Sequence, residues 1–442
     1  MKNSRHLLIL VFLLSQTTAG FTQTKTDFYA SYIRQAKDTL ASPFFHGRGY
    51  LKDGQKLSAY HLATEFVKLG LKNFNPAPSY YQSFEMPVNI FSQHPTLAFD
   101  QDFLTCGIDY LPHPSCPSLQ GNFKLMWIDT SHFQDSKKFK TISQKDLRST
   151  FLVMDLPKNL PKGLKDLVSN FRMNPFNAAG FIEIEDNLIW GVSTEASKHG
   201  IIQVKRGTIK PTHKELRLSI TSAHMPNFPN ANVIGYIPGK VVRDTFLLVT
   251  SHYDHLGQIG PHIVFPGAND NASGVATMLG LAHYFSQPEN QPDYSIAFIG
   301  FSGEEAGLLG SIHYVRNPII SFPKTRFVLN LDIMGSEEAI TVVNATEQSG
   351  AFQILDSLNQ QLGAIQKIKP RAQAANSDHY YFSQLGVPAV FLYTEGTVKG
   401  YHSVFDSADN TPMARAGEIH GLLVGFLKTL QTPTWTAQRK GN

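Results

Sequence analysis

The apolar and polar positions change period along the chain. From Lys25 to about Met86 the spacing is helical: residues 57–69 set Leu62, Phe66 and Leu69 on one face, after a loop at residues 41–49 (ASPFFHGRG). Between about Val88 and Ile220, short alternating runs such as 123–128 and 151–154 lie among turns rich in Pro, Ser, Asn and Lys, which predicts a small β-rich unit. From Asn232 onward, continuous apolar runs alternate with amphipathic ones. Residues 245–250 (TFLLVT), 294–301 (YSIAFIGF), 327–331, 340–343 and 387–393 read as buried strands. Val275, Met278, Leu279 and Ala282 line one face of a helix, and further helices are predicted around 308–315 and over 414–430. Fully apolar strands with helices between them predict an α/β fold, a mostly parallel central sheet with helices on both faces.

The expected division is therefore residues 24–87 and 221–442 for the main domain, with 88–220 inserted as a small lid or substrate-access unit separable from it. Ahead of these, Lys2 and Arg5 precede an apolar run at 7–14 (LLILVFLL) and small residues at 17–20, which predicts an export signal over residues 1–23. That run is far short of the ~20 residues a spanning helix needs, and no later segment could cross a bilayer. The chain is 42% hydrophobic and only 17% charged, which excludes a disordered protein. Its formal charge of +4 is spread without a basic block, so neither nucleic acid nor an anionic membrane is an expected partner. Two cysteines, Cys106 and Cys116, are too few for a zinc site, and in an exported chain a disulfide between them is expected.

Candidate chemistry collects where an open α/β sheet binds its ligands, beyond the carboxyl ends of its strands. His252-Tyr253-Asp254-His255 follows the first apolar strand, Glu304-Glu305 the second, and Asp332 closes FVLNLD. Tyr401-His402 comes after VPAVFLYTEG, and Asp270 lies in GANDNASG at a helix start. Singly, such residues are ordinary solvated or capping groups. Five at one sheet edge point to a metal site. Imidazole and carboxylate suit zinc, and two zinc ions ~3.5–4 Å apart need shared anions between them. Asp270, Glu305 and Asp332 supply three of the four balancing charges, and a bridging hydroxide supplies the last.

The segments SHYDHLG, GANDNASG, GEEAGLLGS, NLDIMG, SDHYYF and YHSVFDSADN resemble the successive motifs of the co-catalytic di-zinc aminopeptidases, the aminopeptidase Y and bacterial leucyl aminopeptidase type. FFHGRGY and AYHLATEFVKLGL resemble that family's opening loop and helix, and the middle segment is similar in position and composition to a protease-associated domain. The resemblance implies an exported enzyme that removes N-terminal residues from peptides or proteins with a free N-terminus. It implies Asp270 bridging two zincs, with His252 and Asp332 completing one and Glu305 and His402 the other. It further implies Glu304 as general base, Asp254 accepting the second ring N–H of His252, Tyr401 bonding the developing oxyanion, and a cis peptide at Asp270-Asn271. His255, His283 and His313 fall outside this set as surface or supporting groups. Asp406 and Asp409 read as supporting or helix-start acceptors, and Ser377-Asp378-His379 carries no assigned role.

Competing readings are a single-zinc glutaminyl cyclase and a carboxypeptidase, for which Arg371 is the nearest basic candidate. A binding protein on an inactive scaffold is a further one; the full ligand set and Glu304 argue against it.

Overall fold

Eight strands build the main sheet of this computed structural model, which describes residues 26–74, 79–157 and 159–437. The predicted export signal lies outside the described residues. The strands are β1 (Tyr81–Phe91), β2 (Ser222–Ile237), β3 (Val242–His252), β4 (Tyr294–Phe301), β5 (Thr325–Leu331), β6 (Ala339–Val343), β7 (Lys367–Arg371) and β8 (Ala389–Glu395). Their order across the sheet is β1-β2-β4-β3-β5-β8-β6-β7. The four at its centre, β4, β3, β5 and β8, run parallel, while β2 and β6 join them antiparallel.

Alternation along β3 explains the layers. Leu247 and Val249 face a core with Ile33, Leu62, Phe66, Leu279 and Leu423, carried by helices at 26–40, Gly54–Lys68, Ser273–Ser286 and Ala416–Leu430. Leu248 points the other way, to Ile299, Val328, Tyr314 and Phe382 under the helices Leu309–Arg316 and His379–Gln384. Both faces are covered, so the central strands are apolar throughout.

The helical reading of residues 25–86 holds through Lys68 and ends at β1, a strand. Its register with β2 runs from Tyr81↔Val233 to Phe91↔Ser222. The partner lies far away in sequence, and pairing of this kind overrides local preference. The predicted boundary at 88 therefore falls inside a strand of the main sheet.

Residues 96–220 form a second eight-stranded sheet. Leu119–Ile128, Thr150–Met154, Gly180–Glu185 and Gly200–Lys205 are parallel neighbours within it. The helices Ser136–Ser143 and Lys162–Arg172 place Ile142 and Phe171 in a core with Leu152, Met154 and Phe181, so the β-rich segment carries its own helical layer. Lys and Ser on the exposed faces of those helices gave the segment its turn-like composition.

One apolar core joins the second sheet to the main domain. Tyr110, Phe151, Ile182, Trp190 and Ile202 pack in a cluster with Leu256 and with Ile259, Ile263 and Phe265 of the hairpin that follows it after β3. Cys106 and Cys116 sit in the same core as free thiols, so the expected disulfide is not formed. Each is held in its own turn, with Gly107 N–H bonded to Tyr110 O and Cys116 N–H to His113 O. Burial pushes both thiols up to about 12.

Candidate metal centre

The parallel strands deliver their polar residues to one cleft. His252 ends β3, Asp332 directly follows β5, Glu304 and Glu305 follow β4, and His402 follows β8. Asp270 enters from a one-turn helical segment, Ala268–Ala272, that leads into the helix Ser273–Ser286. The peptide Asp270-Asn271 is cis. All five expected ligands meet here. His252 Nε2 lies 3.2 Å from Asp332 Oδ1 and 3.5 Å from Asp270 Oδ1. His402 Nε2 lies 3.1 Å from Asp270 Oδ2 and 3.1 Å from Glu305 Oε2. One oxygen of Asp270 thus faces each imidazole.

The donor chemistry fits a cation. Among the described residues, His252 with Glu304 and Asp332, and His252 with Asp270 and Glu305, each offer ligand atoms within 4.8 Å of one another. Carboxylates this close and this buried repel one another unless positive charge lies between them. Burial by itself lowers an imidazole, yet Glu305 and Asp270 outweigh it and push His402 up to about 11.

Glu304 and Glu305 differ in surroundings. Glu305 accepts from His255 Nδ1 at 2.6 Å, and although burial raises its carboxyl, His402 and His255 hold it well below the ordinary range. Glu304 makes no such contact. Its nearest basic neighbour is His252 Nε2 at 4.0 Å, and burial raises its carboxyl well above the usual value. The two adjacent carboxyls are thus held in different environments, Glu305 paired with imidazoles and Glu304 buried without such a pair.

Tyr401 is 55% exposed, lines the cleft and stacks on His402 with ring centroids 3.9 Å apart. Asp254 departs from its expected contact. Its backbone carbonyl is 3.2 Å from His252 Nδ1, nearer than its carboxylate at 3.8 Å. The carboxylate instead accepts from Tyr50 Oη at 2.8 Å and from the Glu304 N–H at 3.3 Å. His255 is fully buried and orients Glu305. His283 packs among Phe28, Tyr29 and Tyr32, and His313 stacks on Phe84, both away from the cleft. Ser377 donates to Asp332 Oδ2 at 2.8 Å. Asp406 accepts from the Asn269 and Asp270 N–H groups at 2.7 and 2.9 Å, while Asp409 is exposed.

Comparison with known proteins fits this arrangement. Residues 232–426 match the description of peptidase family M28. By that match the segment is similar to peptidase family M28. Aminopeptidase YwaD of Bacillus subtilis is 29% identical over 227 residues, 48% of this chain and 47% of the relative. Leucine aminopeptidase 1 of Trichoderma harzianum is 25% identical over 211 residues, 44% of this chain and 52% of the relative. The chain thus spans about half the length of these curated relatives. In fold it is similar to a zinc aminopeptidase from Bacillus subtilis, with a TM-score of 0.68 at 20% identity over 92% of this chain and 97% of that one. A peptidase M28 precursor from Shewanella amazonensis gives a TM-score of 0.66 at 15% identity, covering 95% and 98% of the two chains.

The matched segment does not build the centre alone. Arg48, from the opening loop, is fully buried and donates to five carbonyls: Tyr253, Leu40, Pro266, Gly267 and Asp270. A side chain on neighbouring Gly47, which has φ +64, would strike the carbonyls of Gly257 and Phe265. Trp190, from the second sheet's segment, accepts from His402 Nδ1 through its backbone carbonyl at 2.9 Å and from its N–H donates to the His402 carbonyl at 3.0 Å. This fixes the ring so that Nε2 faces Asp270 and Glu305.

A deletion can test that dependence. Phe91 and Ser222 are paired neighbours, so a short linker can replace residues 92–221 without disturbing β1 and β2. The shortened chain is expected to keep the helical and strand signal of its main sheet but to bind metal roughly 10–100-fold more weakly. Circular dichroism and metal titration measure the two properties. Undiminished affinity would refute the role given to Trp190.

Proposed function

We propose that this chain is an exported aminopeptidase that uses two zinc ions to hydrolyse the bond after a free N-terminal residue. The observation that carries the reading is the divided Asp270 carboxylate, with Oδ1 3.5 Å from His252 Nε2 and Oδ2 3.1 Å from His402 Nε2. His252, Asp332 and Asp270 would hold one zinc, and His402, Glu305 and Asp270 the other. Bound zinc would supply Lewis acidity and activation of water near neutral pH. Relatives named as aminopeptidases support the reaction, and a structural neighbour named as a zinc aminopeptidase supports the metal. Lys2, Arg5 and the apolar run at 7–14 support export.

Glu304 takes a proton from the attacking water and passes it to the leaving amine. Tyr401, braced on the His402 ring, donates to the oxyanion that develops on the scissile carbonyl. Asp254 holds the Glu304 backbone through its carboxylate and the His252 ring through its carbonyl. The cleft over the cluster measures about 260 Å³, small beside ordinary ligand sites and suited to the end of a chain.

Metal analysis is expected to give about two zincs per chain, with hydrolysis of aminoacyl-nitroanilides and none of N-blocked peptides. A single tightly bound zinc, with no gain in activity when more is added, overturns the two-metal reading. Cleavage of N-blocked peptides overturns the aminopeptidase reading.

A further inference from the structure

Arg371 ends the edge strand β7 and lines the same cleft as His252, Asp270, Glu304 and Asp332. One of its N–H groups donates to Tyr393 Oη at 3.1 Å, and the guanidinium lies 5.9 Å from the centre of that ring. Among the described residues it forms no ion pair with a carboxylate. The nearby acid Glu395 is already taken by Lys369 at 2.7 Å and by the Thr341 hydroxyl. An uncommitted planar fork of donors therefore stands at the cleft wall, held by a tyrosine, and such a fork matches the two oxygens of a carboxylate.

The rest of that wall suits a short side chain with a polar end. Ile333, Phe391 and Tyr393 offer apolar surface for methylene groups, and Asn376 adds an amide beside them. Asp270, Glu304 and Asp332 line another part of the cleft, where the scissile bond would lie, and leave the Arg371 wall to the side chain of the first residue. The cleft thus sets a cationic group on a wall apart from the metal ligands.

We propose that Arg371 is a specificity-determining residue that receives the side-chain carboxylate of an N-terminal Glu or Asp. The inference rests on the aminopeptidase reading, since it places the substrate's first residue against this wall. A carboxylate could also come from the main-chain end of a dipeptide, so the two sources are tested separately.

The first arm compares Glu- and Gln-nitroanilides. The second compares Leu-Gly with its C-terminal amide. Wild type is expected to favour Glu over Gln by about 2–5-fold in kcat/KM, the exposure of Arg371 keeping the effect modest. Arg371→Leu should bring that ratio close to one, and Tyr393→Phe should lower it partway. Zinc content and thermal midpoint of each variant check that the fold is intact. Calorimetric titration of zinc-loaded protein with L-glutamate and L-glutamine gives a readout independent of turnover, with glutamate tighter in wild type and the difference lost in Arg371→Leu. Equal treatment of Glu and Gln by wild type overturns the proposal. So does a carboxylate preference, dependent on Arg371, that appears only in the dipeptide arm. If no aminoacyl substrate is cleaved, the aminopeptidase reading fails, while the glutamate titration still decides whether Arg371 binds a carboxylate.

Discussion

Glu304→Gln is expected to retain both zincs and lose about 10²–10⁴-fold in turnover, whereas Glu305→Gln loses metal. The two substitutions are the same in size and charge and adjacent in the chain, so any difference reflects the site. Glu305 is bonded to His255 at 2.6 Å and faces His402 at 3.1 Å. Its amide counterpart presents one neutral oxygen where a charged pair stood, and zinc affinity should fall together with any stability that metal binding supplies. Among the described residues, the ion-pair neighbour of Glu304 is His252 at 4.0 Å, so its amide fits the same space while lacking the capacity to carry a proton. Zinc stoichiometry and steady-state kinetics, measured side by side, separate the roles. An active Glu304→Gln protein, or one that releases zinc as readily as Glu305→Gln, would reverse the assignment.

Arg48→Ala is expected to be the most destabilising single change near the centre, by about 3–5 kcal/mol. Five carbonyls converge on this guanidinium at 2.6 to 3.2 Å, and truncation leaves them buried with their partner gone. Two belong to the segment that carries Asp270, and one to Tyr253 beside His252, so the ligand loops should loosen along with the fold. Arg48→Lys keeps the charge but offers three donors from a single point, and should fall between the two. Arg48→Met, which restores much of the volume, separates packing from hydrogen bonding. Denaturant melts of metal-free and metal-loaded protein give the comparison. A loss below about 0.5 kcal/mol for Arg48→Ala, the level of an ordinary surface change, would remove Arg48 from this role.

The parts of the fold that could be read from sequence are those whose environment is the same on both sides. Residues 294–301 are apolar at nearly every position because helices cover both faces of β4. Strand β1 gave no such signal. It sits at the sheet edge with a mixed burial pattern, and only the distant β2 makes it a strand. The ligands were legible because imidazoles and carboxylates at strand ends are chemically conspicuous. Trp190 was not, since it acts on His402 through its backbone, which every residue type shares. Arg48 lies in a segment that resembles the family's opening loop, but five carbonyl partners spread from Leu40 to Asp270 leave no trace in local sequence. His255 was set aside as a surface or supporting residue, and only its burial against Glu305 separates the two.

The pairing of β1 with β2 also fixes an order of assembly. About 130 residues separate Phe91 from Ser222, yet they end as neighbours. Closing so long a loop adds only modestly to the equilibrium cost, but contacts this distant in sequence slow folding. The strands of residues 96–220 pair only with one another, but their core is completed by Leu256, Ile259, Ile263 and Phe265, which come later in the chain. Arg48 must wait still longer, for Gly267 and Asp270 more than 200 positions onward. His402 arrives after all of them. The metal centre is therefore completed only by the last part of the chain, and a chain that stops short of residue 402 has Trp190 with no imidazole for its backbone carbonyl to hold.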